Sequence, residues 1–254
     1  MSTIPYKAKQ VQLFGGAITI DLPPKIIDVS TFRQVPDSQE VFISTSSRDS
    51  SDEQLHQGAR TTEDELTKDL SMIIEVLELV DLRNDPEYLQ QNHPDDDDND
   101  CDNHPKSIIK YHFDSLAHDN SSKLATIKSI TMPKDRRQFT EPPATVAAQA
   151  NDPPSDDESG MKTRRTPEPV KCYGLQSVAK FNEAESHDVH IWLALWRLNG
   201  IGNQGRGTDL VLTFNLPHLS SADPVHFQQS VEFTDQIFQQ AARSLHIADW
   251  SLFA

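Results

Sequence analysis

Residues 187–216 read HDVHIWLALWRLNGIGNQGRGTDLVLTFNL. Two apolar runs, 187–198 and 209–216, flank a glycine-rich stretch, the pattern of two strands joined by a loop. The stretch spells GxGxxG from Gly200 to Gly205. A dinucleotide site needs that motif to open a helix after a strand. Here a second strand follows, so no helix N terminus is available to face a pyrophosphate. The stretch is therefore a hairpin loop.

Similar segments lie on both sides. Residues 170–181 form another strand, and residues 106–117 (KSIIKYHFDSLA) and 123–130 alternate well enough for two more. Near the N terminus, 11–14, Gly15-Gly16 and 17–20 read as strand, tight turn and strand, stopped by Pro23-Pro24. Residues 39–43 make a short strand after a turn at Pro36-Asp37. Two helices are expected. The first covers 63–82, where Leu70, Ile73, Ile74, Leu77 and Val80 form one stripe. The second covers 224–246 and opens on Asp223-Pro224, an N-cap followed by proline at the first helical position. Phe227, Val231, Thr234, Phe238, Ala241, Ala242 and Leu245 mark its buried face. Short strand connections predict an α+β fold, an α/β/α sandwich whose twisted, mostly antiparallel sheet is flanked by helices.

The 254 residues carry a net charge of −16 and are 36% hydrophobic, with prolines outnumbering glycines 16 to 9. No apolar run approaches the ~20 residues that span a bilayer, and residues 1–10 lack a secretory pattern. Cys101 and Cys172 cannot make a disulfide framework, which fits a reducing compartment. An acidic chain repels phosphate backbones, so a basic protein surface suits it better than nucleic acid. Half of the net charge sits in residues 84–105, which have eight acids and no Lys or Arg. That stretch, the proline-rich 133–169 and the polar 45–62 are expected to be disordered insertions in a single domain, 1–254. The four-Asp run in the first lacks the glycine and ligand spacing of a calcium loop. Arg136-Arg137 and Arg164-Arg165 flank the second. Thr166-Pro167 fits a phosphorylation site and the basic cluster a nuclear-import signal, although a solvated linker also accounts for both.

No covalent chemistry assembles. His187 and His190, three apart on a strand, point to opposite faces. His112 and His118 fall in another expected strand, and no third ligand is suitably spaced. Neither metal nor cofactor is expected. Cys172 reads as a buried structural thiol. No GxSxG, Walker or HExxH motif occurs. Binding is the better reading. On a helical wheel over 63–82, Glu75 and Glu78 project together opposite the apolar stripe, with Met72 and Leu79 beside them. Apolar side chains ringed by acids are a common form of docking patch, although solvent-facing glutamates with an insertion packed over Met72 and Leu79 also account for the pattern. Residues 27–42 (IDVSTFRQVPDSQEVF) place Asp28, Arg33, Asp37, Gln39 and Glu40 between apolar anchors. Asp28 or Ser30 can cap a short helical turn there, and Asp37 can set a turn.

Residues 13–18 (LFGGAI) with 27–42 resemble the N-terminal signature of the Ran guanine nucleotide release factor family, the Mog-type nuclear import factors. Residues 71–78 (SMIIEVLE), 111–114 (YHFD), 209–215 (DLVLTFN) and 251–254 (SLFA) also resemble the family pattern, in the right order. The resemblance implies the sandwich fold shared with PsbP-like proteins. It implies binding to the GTPase Ran, release of its nucleotide, and a role in nuclear import between nucleus and cytoplasm, with other nuclear transport factors as further partners; a monomer is expected because nothing in the sequence calls for an oligomer. It also implies that Glu75 and Glu78 form the family's acidic pair. Asp28, Arg33, Asp37, Gln39 and Glu40 rank second for the same surface. The alternative is an adaptor that binds a small GTPase, or another basic partner, without promoting exchange. The insertions at 84–105 and 133–169 depart from the compact family pattern.

Overall fold

The computed structural model describes residues 6–44, 65–82, 104–145, 164–179, 186–218 and 223–253. Its centre is β8 (Ser186–Asn199) paired antiparallel with β9 (Gly207–Pro217) through a loop in which Gly200, Gly202, Gly205 and Gly207 all adopt positive φ. The turn can be this tight because glycine enters that region without a Cβ penalty. β7 (Val170–Ala179) and β6 (Leu124–Thr131) extend the sheet on one side. On the other side lie β5 (Ser71–Glu78), β4 (Gln39–Ser44) and β3 (Ile26–Asp28). The order β3-β4-β5-β9-β8-β7-β6 is antiparallel throughout. A second sheet pairs β1 (Lys9–Leu13), β2 (Ile18–Leu22) and β10 (His246–Ile247).

Both faces of the large sheet are covered. α1 (Pro105–Asp119) packs on β6, β7 and β8, where Ile108, Ile109 and Phe113 meet Cys172, Ile191, Leu193 and Leu195. α2 (Arg137–Thr140) is one short turn that inserts Phe139 into the same core. On the opposite face, α3 (Pro224–Ser244) and the three-stranded sheet bury Trp192, Trp196, Leu212 and Phe214. Asp223 caps α3 by accepting the His226 amide at 2.9 Å, as its Asp-Pro start predicts. The α+β class and the antiparallel sheet agree with the sequence reading.

Two elements exchange identity. The expected helix at 63–82 is the strand β5. Met72, Ile74 and Val76 pack into the α3-side core, while Leu77 packs on the α1 side. A strand apolar on both faces reads as an almost continuous apolar run, which also satisfies a helical stripe. The β-branched Ile73, Ile74 and Val76 favour the extended form. Conversely, the strand expected over 106–117 is α1. Pro105 stands at its first turn, and His104 caps it by accepting the Lys106 amide at 3.3 Å. Ile108, Ile109, His112, Phe113 and Ala117 form its buried stripe. His112 and His118 are thus helical.

The insertions are shorter than expected where the structure describes them. Residues 133–145 and 164–169 belong to the fold: Asn199 Nδ2 donates to the Phe139 carbonyl at 2.6 Å, and Thr145 bridges Arg164. Residues 45–62, most of 84–105 and the middle of 133–169 lie outside the described residues, as does Cys101. Thr166 is half-buried, and its hydroxyl accepts the Ile247 amide at 2.9 Å. Asn120 caps the end of α1 in a tight turn.

A buried polar cluster ties the ends of these elements together. Asp209 Oδ2 lies 3.0 Å from His112 Nε2 and 3.5 Å from Arg197 Nη1. It also accepts the Val80 amide at 3.0 Å, and Arg197 Nη2 donates to the Val80 carbonyl at 2.6 Å. The cluster fixes the chain just beyond β5 to α1, β8 and β9. Asp209→Ala leaves Arg197 buried without its carboxylate and is expected to cost about 3–5 kcal/mol in denaturant unfolding. Gly174 in β7 is limited by space: a Cβ there would lie 2.6 Å from both Phe113 Cζ and the Thr126 carbonyl oxygen. Gly174→Ala is expected to destabilise by about 1–3 kcal/mol in the same measurement.

Candidate functional site

The signature at 27–42 builds one end of the large sheet. Asp28 Oδ1 accepts the Ser30 amide at 2.8 Å, and its carbonyl accepts the Thr31 hydroxyl at 2.7 Å, which shapes a 3-10 turn over Val29–Thr31. Asp28 is half-buried in this capping role. Phe32 and Arg33 follow and are exposed, Phe32 at 61%. The Pro36 carbonyl accepts the Gln39 amide at 2.9 Å, closing the turn that carries the exposed Asp37 and starting β4. The Val76 amide donates to the Ser38 carbonyl at 2.9 Å, which fastens this turn to β5.

Register then decides which polar groups meet. Gln39 lies opposite Glu75, and its Nε2 donates to Glu75 Oε1 at 2.5 Å. Glu40, the next residue, points to the other face, where Oε1 accepts the Phe14 amide at 2.7 Å. Phe14 has φ 50° and opens the Gly15-Gly16 turn. The LFGGAI and PDSQEVF stretches are therefore hydrogen-bonded to each other, and Glu40 both anchors that turn and keeps a half-exposed carboxylate at the sheet end.

Glu75 stands on the sheet face next to α1. Burial holds its carboxyl above the ordinary value of 4.5, and Asp119 pushes the same way; the Gln39 hydrogen bond and the charge of His112 offset this only in part. A carboxylate kept on a partly desolvated face, with Val41, Ile43 and Ile73 half-buried nearby, is prepared to meet a positively charged group.

Glu75 and Glu78 do not project together, because the expected helix is the strand β5. In a strand, residues three apart point to opposite faces. Glu78 is exposed near the end of β5, opposite Thr208, on the face away from Glu75. Met72 is fully buried and Leu79 is half-buried over Gly207, so neither is the exposed apolar contact that a helical wheel suggests. What the fold brings onto one face is Gln39 and Glu75, with the exposed Asp37 on the adjoining turn; Glu40 stands on the opposite face, and Asp28 and Arg33 lie on the segment that leads into β4. The proximity of His112 to Glu75 has no local signal in the sequence, because it depends on α1 crossing the sheet.

Other titratable groups serve packing. Burial pushes the Cys172 thiol up to about 12. His190 is held down to about 4 by burial and by His218, and its Nδ1 lies 2.7 Å from the Tyr173 hydroxyl. Among the described residues, no group of three or more His, Cys, Asp or Glu is placed to hold a metal ion.

Comparison with known proteins agrees with this architecture. The chain is 29% identical over 250 residues to a "probable ran guanine nucleotide release factor" of Dictyostelium discoideum, covering 95% of this chain and 94% of the relative. It is 28% identical to the nuclear import protein mog1 of Schizosaccharomyces pombe, covering 96% and 100%. The crystal structure of the Saccharomyces cerevisiae Ran-binding protein Mog1p shares the fold with a TM-score of 0.60 at 22% identity, covering 98% of this chain and all of that one. The family model for the Ran-interacting Mog1 protein matches residues 11–217, from β1 to the end of β9, and this chain belongs to that family.

Proposed function

We propose that this chain binds Ran and promotes release of its guanine nucleotide, in support of nuclear protein import. The observation that carries this reading is family membership across residues 11–217. The docking surface is the sheet end around Asp37, Gln39 and Glu75, with Asp28 and Arg33 on its flank and Glu40 and Glu78 on the opposite sheet face. Met72 and Leu79 act from beneath, by packing β5. The chain is read as one domain of the kind shared with PsbP-like proteins, working as a monomer in nucleus and cytoplasm. Residues 45–62, 84–103 and the central part of 133–169 are insertions in it.

Release on this reading needs no bond-making step. A protein that binds nucleotide-free GTPase more tightly than the loaded form must weaken nucleotide binding by the same factor. A hundredfold effect requires about 2.7 kcal/mol of differential binding. The carboxylates give on-rate and orientation toward a basic partner surface.

The test is release of a fluorescent guanine nucleotide from Ran, loaded in turn with GDP and GTP, with and without this protein. Faster release is expected. Binding without faster release would leave only the adaptor role. Asp37→Lys reverses an exposed charge and is expected to weaken Ran binding roughly tenfold or more with an unchanged melting temperature. An unchanged affinity would remove that turn from the interface. Glu75→Gln separates function from stability. Because burial raises the folded-state pKa, the unfolded chain releases this proton at lower pH, and stability falls as pH rises through the window above 4.5. The variant is expected to melt higher than the parent at pH 7, to lose that advantage below pH 4.5, and to release nucleotide from Ran more slowly than the parent does.

A further inference from the structure

Away from the acidic edge, a cavity of about 430 Å³ opens between the end of β6, residues 165–169, the start of β7 and the C-terminal turn of α3. Four cationic residues line it, Lys134, Arg165, Lys171 and Arg243, against one carboxylate, Glu168. Glu168 is engaged by the backbone: Oε2 accepts the Lys134 amide at 3.1 Å. Among the described residues, none of the four cations lies within ion-pair distance of a carboxylate. Lys171 Nζ donates to the neutral Gln239 Oε1, and Arg243 Nε donates to the Gln239 main-chain oxygen at 2.9 Å.

Lys171 is the half-buried member of the four, and Lys134, Arg165 and Arg243 are exposed. Burial and the charge of Arg243 hold the Lys171 amine below its ordinary value, and the more weakly acting Asp235 and Glu168 offset them only in part. The C-terminal carbonyls of α3 add partial negative charge, which Arg243 partly takes up through Gln239. Four unpaired cations at one opening, in a chain of net charge −16, form a local positive site in an otherwise acidic molecule. An anion between them would relieve their repulsion. The volume falls in the range of small-ligand pockets, and Met132, Pro167 and Leu245 supply an apolar wall.

We propose that this cavity binds a small phosphorylated ligand, its phosphoryl oxygens held by Lys171, Arg243 and Arg165, with Lys134 at the rim. Phosphoryl groups match the site because they carry more than one charge and several strong acceptor oxygens, which guanidinium and ammonium groups pair with directly. The site is separate from the surface assigned to Ran, so it can be tested without Ran.

Isothermal titration of the full chain at low ionic strength, with pyrophosphate and with GDP as probes, tests the proposal. Saturable one-to-one binding is expected. Equal affinity for the two probes assigns recognition to the phosphoryl groups alone, and tighter binding of GDP adds the apolar wall. Lys171→Ala with Arg243→Ala is expected to weaken binding about tenfold or more. Arg165→Ala, at an exposed position whose main-chain bond to the Ala144 carbonyl the variant keeps, is expected to weaken it several-fold. Absence of saturable binding by both probes, or equal affinity in the parent and all variants, would overturn the proposal. So would saturable binding of a polyglutamate peptide with none of pyrophosphate, because the ligand would then be an acidic chain.

Discussion

The central strands of the large sheet are apolar on both faces, so the sheet must be covered twice. β8 runs from Ile191 to Leu198 without one exposed residue, and β9 is nearly as dry. α1 covers one side; α3 and the small three-stranded sheet cover the other. Everything else follows from satisfying that demand with a chain of ordinary domain size. The cluster of Asp209, Arg197 and His112 lies where β5, β8, β9 and α1 meet, so the polar groups that must be buried there satisfy each other.

The same two-sided burial explains what the sequence conveyed and what it hid. β8, β9 and α3 were legible because each carries its own boundary: a glycine loop between the strands and Asp223-Pro224 at the helix start. β5 was not, because apolar residues on both faces erase the period that separates strand from helix. α1 was hidden for the opposite reason. Its helical stripe was present in Ile108, Ile109, His112 and Phe113, but the capping His104-Pro105 pair lay at the edge of an acidic stretch and read as part of it. Neither error disturbed the antiparallel class, because β5 pairs antiparallel with both β4 and β9 and α1 lies on the sheet face without entering the strand order.

The candidate site was legible in composition and not in geometry. Asp28, Asp37, Gln39 and Glu40 stand out as polar residues between apolar anchors, and the turn at Pro36-Asp37 could be read directly. The meeting of Gln39 with Glu75 depends on the register of β4 against β5, which pairs these two residues 36 apart in sequence. That register also separates Glu75 from Glu78 and places Glu40 under the Gly15-Gly16 turn. The two most distinctive N-terminal stretches are thus physically joined.

On the proposed function, nucleotide release is a matter of differential affinity. The most direct measurement is the equilibrium affinity of this protein for nucleotide-free Ran and for Ran loaded with GDP or GTP, each in the same buffer. The account predicts tighter binding to the nucleotide-free form, by the same factor by which the protein weakens nucleotide binding to Ran. Equal affinity for the free and loaded forms would contradict it, because linkage would then leave the nucleotide equilibrium untouched.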